Sequence, residues 1–417
     1  MTLSVLILAD DCNPEWASLP IVAYNTIREL QRVSSLNVTV VTHVRNRANI
    51  EAKGELKNVV YIDTEAFAGP LHKISKFFRG GDQVGWTTGV AFNYPMYIAF
   101  ELKVKKLFAD AFKHGKFDIV HRLTPMSPST PSLLATVCQF QGIPFVVGPV
   151  NGGLAWPKEF AQESRKEKEW LLKLRSFHKY LPFYASIYNR ASAVLAAFDH
   201  TKKDIPANKN VVDFPEIGFD PELFYSEPFK SVPRTRKVNF LFAGRLVPYK
   251  LPTLALECFA RSEFLRANAT LTVVGDGPEK IEIDQYAKDM PECVTLRGKQ
   301  SQAVVAKEMR ASDVFIFPSI RELGAGVIVE AMACGSIPLV VDYGAPADLV
   351  SNDSGFKIQM GTREQLIDRF TKTMEYIVRN KGNVFPHKNE SARKEAQQYT
   401  WENKAKNIVK IYDSVSY

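Results

Sequence analysis

The chain has 417 residues, 46% apolar and 24% charged, enough to bury more than one core, and its length predicts two domains. Lys and Arg number 53 against 45 Asp and Glu, and nearly all of the +8 excess lies before residue 216: 26 against 19 up to Pro215, 27 against 26 beyond. An anionic partner is therefore expected on the first half, but no recognition motif accompanies the charge and nucleic acid is not expected.

Val5–Ala9 is an apolar run closed by Asp10 and Asp11, which reads as a first strand rather than a signal peptide. Strand-like and helical runs then alternate: a helix near Ile21–Val33, strands Val38–Val44 and Val59–Ile62, a long helix near Tyr94–Lys113, strand Ile119–His121, a helix after Pro131, and strands Phe145–Gly148, Ala193–Ala196 and Val211–Phe214. Such alternation predicts a doubly wound parallel sheet. Past the turn-rich Glu216–Pro221 the pattern restarts with Val238–Phe242, a helix from Leu251, Thr270–Val274, Cys293–Leu296, Val314–Phe317 and Leu339–Val341, and a final helix is expected over Trp401–Tyr412. The fold class is thus α/β, with two Rossmann-like domains, 1–215 and 216–395, a hinge near 215–235, and a terminal helix within 396–417.

The scattered cysteines, Cys12, Cys138, Cys258, Cys293 and Cys334, have no metal spacing and read as reduced thiols of a cytoplasmic protein. No run reaches the roughly 18 apolar residues of a spanning helix, so membrane contact is expected to be peripheral, on the inner face.

Chemistry concentrates in the second half. Glu322 and Glu330 stand eight positions apart, separated by Gly324-Ala325-Gly326-Val327, between the apolar runs Val314–Phe317 and Ile337–Val341. The glycines allow close backbone approach, and the helix they open offers unpaired N–H groups and its positive dipole end to an anion. Glu330 is expected in about the first turn, accepting hydrogen bonds from vicinal hydroxyls, with Glu322 in the turn before it facing another polyol. After Phe240–Ala243, Arg245 and Lys250 share one loop and could converge on a phosphate, Arg as a fork and Lys as a point charge.

The strand, proline, Glu, Gly-x-Gly and Glu-Ala-Met-Ala-x-Gly series over Asp313–Pro338 resembles the signature of the retaining family 4 glycosyltransferases, and the two-sheet layout resembles their glycosyltransferase B architecture over nearly the whole chain. The resemblance implies domains facing across a cleft, with the nucleotide sugar mostly on the second, the acceptor entering over the first, and the last helix packing back on the first. It carries Arg245 and Lys250 over as the cations facing the diphosphate, although Leu251 stands where the family has glycine. It also implies a nucleobase beside Arg297, Gly298 and Lys299. The Gly275-Asp276-Gly277 turn matches the family's second strand in this domain and reads more simply as structural. In the first domain, His121 resembles a histidine delivered to the cleft, and Asn151, Gly152 and Gly153 could line it. The paired glycines usual after the first strand are absent from Asp11–Ser18.

These readings converge on a metal-independent, cofactor-free hexosyltransferase of polysaccharide or lipid-linked saccharide synthesis, with UDP-glucose the expected donor and a saccharide or lipid-linked acceptor. A UDP-sugar 2-epimerase on the same fold and a non-enzymatic sugar-nucleotide sensor are the alternatives. Basic, aromatic stretches at Leu71–Lys116 and Lys158–Lys203, the latter including Lys173, Arg175 and Lys179, suit peripheral contact with anionic lipid.

Overall fold

The computed structural model describes residues 2–66, 86–161, 179, 183–206, 208, 210–227 and 236–416. Lys173, Arg175 and much of both basic stretches lie outside them. The chain forms two compact units: Met1–Gly153 with Glu167–Glu216 and Trp401–Tyr417, and Leu154–Lys166 with Ile217–Thr400.

The first unit is built on β1 (Leu3–Ala9), β2 (Leu36–His43), β3 (Val59–Ile62), β4 (Ile119–Thr124), β5 (Phe145–Val150), β6 (Ala193–Ala196) and β7 (Val211–Asp213), in the order β3-β2-β1-β4-β5-β6-β7. All pairs are parallel, with Ile7 opposite both Val40 and His121. The strands read as continuous apolar runs because each face of the sheet is covered. Leu6, Leu8, Val120 and Val147 pack with Phe100 and Leu134 on one face, and Val5, Ile7, Ile119 and Leu195 with Ile27, Leu30, Ile408 and Tyr412 on the other. Ile408 and Tyr412 belong to the helix Trp401–Val415, so the end of the chain completes the core of its first part.

The second unit orders β8 (Val238–Ala243), β9 (Ala269–Val274), β10 (Val294–Gly298), β11 (Val314–Phe317), β12 (Ile337–Val341) and β13 (Phe356–Ile358) as β10-β9-β8-β11-β12-β13, again all parallel. Helices Pro252–Arg261 and Arg363–Ala396 cover one core built on Phe240, Phe242, Val273, Ile316 and Leu339. The long helix starts on a capping box, Thr362 with Gln365, and bends at Asn380, where φ is −109°. In each unit the strand order reverses beside the first strand, at β1/β4 and β8/β11, and open α/β sheets bind ligands at the carboxyl ends of such a pair.

Candidate functional site

At the carboxyl ends of β8, β9 and β10 three loops are laced together by their backbones. Gly244 N–H donates to Val274 at 3.0 Å, Leu246 N–H to Asp276 at 3.0 Å, and Gly275 N–H to Gly298 at 2.9 Å. A Cβ on Gly275 would lie 1.9 Å from the Gly244 carbonyl oxygen, so no other residue fits there. The Gly275-x-Gly277 turn is therefore a backbone support that fixes where the β8 loop stands.

That loop carries Arg245 and Lys250. Arg245 is exposed and donates to the Tyr249 hydroxyl at 2.9 Å. Lys250 closes the 3-10 turn Pro248–Lys250, and its ammonium lies 4.7 Å from the centroid of Phe317. Leu251 follows with φ +45°, the left-handed conformation, which accounts for a glycine being the favoured residue there. Here a leucine takes that conformation and is buried in the core, 1% exposed, ahead of helix Pro252–Arg261.

Glu322 is already engaged within these loops. Its Oε1 is ion-paired with Lys250 and accepts from Ser319 Oγ at 3.4 Å, and the two charged side chains are only 12% and 13% exposed. The pair brings the β8 and β11 loops together, so any group that engages Lys250 also acts on Glu322. Past it, Ala325 adopts φ +56° and opens the helix Gly326–Ala333 with no side-chain cap, leaving the first N–H groups, Val327's included, to an external acceptor. A Cβ added at Gly326 would meet only ordinary contacts, 3.7 Å from the Ile217 side chain.

Glu330 lies just past the first turn of that helix. The helix begins at Gly326 and holds no acid in its first turn, which places Glu330 in the second. Burial alone pushes its carboxyl up to about 7, and no hydrogen bond to that carboxyl forms among the described residues. Hydroxyl donors brought to it would favour the ionised form.

At the end of β10, Arg297 turns to Glu308, Nε to Oε1 3.1 Å, and its carbonyl accepts from Gln300 at 2.6 Å. Gly298 takes φ +63° and Lys299 is exposed. This edge adjoins the β9 loop through the Gly275–Gly298 bond, whereas Glu322, Lys250 and Arg245 cluster around β8 and β11.

In the first unit the structure corrects the expected roles of His121 and Asn151. His121 is 0% exposed, its Nδ1 2.7 Å from the Tyr412 hydroxyl and its Nε2 2.7 Å from the Gly148 carbonyl oxygen, and burial pushes its pKa down to about 4. It is a neutral core histidine tying β4 to the last helix. Asn151 gives its amide to Glu216 at 2.6 Å and accepts from Thr201 at 3.3 Å, so its side chain organises the unit's interior. Glycine at 152 and 153 is explained by packing: added Cβ atoms would lie 2.7 Å from Pro128 and from Asp204.

One feature of that unit was legible but unassigned. The two acids closing β1 sit at its topological switch point, where Asp10 accepts from Thr124 Oγ1 of β4 at 3.0 Å. Burial and the neighbouring Asp11 charge push Asp10 up to about 7. The signal was two consecutive acids at the end of an apolar strand.

Two parallel sheets of this order define the glycosyltransferase B fold, shared with a crystal structure of HepE from Anabaena in complex with UDP, at a TM-score of 0.63, 17% identity, and 99% and 100% coverage of the two chains. Residues 225–398 match the family of glycosyl transferases group 1. Among curated proteins it is similar to the UDP-Gal:alpha-D-GlcNAc-diphosphoundecaprenol alpha-1,3-galactosyltransferase of Escherichia coli, 26% identical over 64% of this chain and 69% of that one. It also resembles the phosphatidylinositol N-acetylglucosaminyltransferase GPI3 subunit of Saccharomyces cerevisiae, 23% identical over 43% of this chain and only 39% of the yeast protein.

Proposed function

We propose that this glycosyltransferase moves a hexosyl group from a UDP-sugar, with UDP-glucose the working donor, to a saccharide or lipid-linked acceptor, with retention of configuration and without a metal. The observation that carries the reading is the Lys250–Glu322 pair beside the uncapped helix at Gly326. It sets a cation for a diphosphate, N–H groups for an anion and a carboxylate for sugar hydroxyls within adjoining loops. Glu330 takes the ribose hydroxyls, and the chain at Arg297, Gly298 and Lys299 borders the base. As the bond to the donor breaks, negative charge grows on the leaving diphosphate, and Lys250 with Arg245 stabilises it in place of a metal. The acceptor oxygen bonds to the anomeric carbon on the face the diphosphate leaves, its proton passing to the departing phosphate, so retention needs no enzymic nucleophile.

Galactose and N-acetylglucosamine remain in the donor test because relatives carry those names: a UDP-Gal-dependent galactosyltransferase and an N-acetylglucosaminyltransferase. The same names, one a diphosphoundecaprenol glycoside and the other phosphatidylinositol, favour a lipid-linked acceptor. Among the described residues no helix is long and apolar enough to cross a membrane, and contact with anionic lipid through the basic first half suits such an acceptor. The test is release of UDP from UDP-glucose, UDP-galactose and UDP-N-acetylglucosamine, set against GDP- and ADP-sugars, in EDTA. Release from GDP- or ADP-sugars alone refutes the donor, and a strict need for magnesium or manganese refutes the role of the two cations.

A further inference from the structure

The segment Leu154–Phe160 leaves a strand of the first unit yet packs with the second. Four of its residues attach it there. Phe160, 1% exposed, is buried in the core under β8 and β11. Leu154 lies so close to Gly344 that a Cβ at that glycine would stand 2.8 Å from its Cδ2. The carbonyl of Ala155 accepts from the Tyr343 hydroxyl at 2.9 Å. Trp156 turns its ring to Arg321, whose Cζ lies 5.1 Å from the ring centroid.

The attachment points surround one residue. Arg321 is the chain neighbour of Glu322. Tyr343 and Gly344 lead into Ala345, whose N–H donates to the Glu322 carbonyl at 3.1 Å, and a Cβ on Gly344 would lie 2.8 Å from that same oxygen. Glu322 is thus held by its side chain on Lys250, by its carbonyl on the turn after β12, and through Arg321 on the Trp156 ring.

Arg321 is a permanent cation beside a carboxylate already committed to Lys250. Turned toward Glu322 it would compete with Lys250 for the same oxygens. An aromatic face gives it a different seat, since the ring quadrupole attracts a guanidinium.

We propose that Trp156 is a positioning residue for the donor site: by seating Arg321 on its ring it leaves Glu322 to Lys250 and fixes the loop that carries both. This rests on the assignment of Glu322 to the donor sugar and extends it by giving Leu154–Phe160 a part in that site. Trp156 itself touches neither reacting atom.

The experiment uses the full-length protein with Trp156→Ala, Trp156→Phe, Trp156→Leu and Arg321→Ala, and the double Trp156→Ala/Arg321→Ala. Amide hydrogen exchange of residues 319–327, read by mass spectrometry without ligand, reports the loop apart from the chemistry. Trp156→Ala speeds that exchange about tenfold, the scale of one partly desolvated cation–π contact. The leucine variant, which keeps bulk but no ring face, does the same, phenylalanine restores most of the protection, and the double variant exchanges no faster than either single one. In UDP-sugar hydrolysis, kcat falls by about tenfold in the alanine variant while UDP affinity by calorimetry stays within about twofold.

Unchanged exchange at 319–327, additive effects in the double variant, or full protection with leucine overturns the proposal whatever the kinetics. Faster exchange with undiminished hydrolysis also overturns it. Glu322→Gln, run alongside, locates the fault: if it too hydrolyses at the full rate, the sugar assignment of Glu322 has failed, and if it is slow, the failure is that of Trp156 alone.

Discussion

Glu330 supplies a sharp quantitative expectation, because its carboxyl sits near neutrality for a single cause. Burial pushes it up to about 7 with no countercharge, so at neutral pH about half of the molecules carry a protonated Glu330. Ribose hydroxyls donating to it favour the ionised form, and UDP binding must then expel the proton. Affinity is largest above pH 7 and is lost as pH falls through that value. With the free carboxyl at about 7 and the bound one in the ordinary range near 4.3, binding weakens by about tenfold between pH 8 and pH 6. At pH 7 it should release about half a proton, which calorimetry in two buffers of different ionisation enthalpy can count. Glu330→Gln removes the titration, and because UDP's own phosphate titrates equally in both proteins, the ratio of their affinities isolates the carboxyl. Equal pH slopes for wild type and Gln variant, or tighter binding at pH 6, would refute the placement of ribose on Glu330.

Glu322→Gln should keep UDP affinity within about threefold while lowering transfer from the complete donor by at least tenfold, as fits a contact to the sugar rather than the nucleotide; UDP binding tenfold weaker would reverse the two carboxylates. His121→Asn should lower the melting temperature, since it strips hydrogen bonds worth about 1–3 kcal/mol from Tyr412 and Gly148, and leave UDP release unchanged; a large loss of turnover in a protein of unaltered stability would return His121 to the chemistry. Burial pushes Lys404 down and Glu216 up, each to about 7. The lysine costs stability as pH falls from its ordinary range toward 7, and the glutamate as pH rises toward 7 from its own. The penalties are thus largest together near neutrality. Replacing both, Glu216→Gln with Lys404→Met, should raise the melting temperature at pH 7 by a few degrees, about 1–4 kcal/mol, while Lys404→Met alone should not; a double variant less stable than the single would contradict this.

The sheets were legible because each strand is a short apolar run bounded by turn residues, and the Lys250 and Glu322–Glu330 segments because their chemistry is local in sequence. What stayed hidden depends on distant partners. His121 is defined by Tyr412, 291 positions away, and Asn151 by Glu216, 65 away; no local pattern distinguishes such residues from ligands. Leu154–Phe160 follows β5 in sequence, and only the burial of Phe160 among strands of the second unit shows where it packs. Helix Arg363–Ala396 contains Pro386 and bends at Asn380, which interrupts the periodicity that would have announced it. Glu330 falls just past the first turn because Ala325, in the left-handed conformation, caps the helix and Gly326 is its first residue.

The most direct test of the central claim is release of UDP from UDP-hexoses in EDTA by wild type and by Lys250→Ala. Wild type should release UDP without added metal, and the alanine variant, still folded at the assay temperature, should do so about 100-fold more slowly, the scale of removing one preorganised donor to developing charge. Undiminished release by the variant, or none by wild type from any nucleoside diphosphate sugar, would contradict the account.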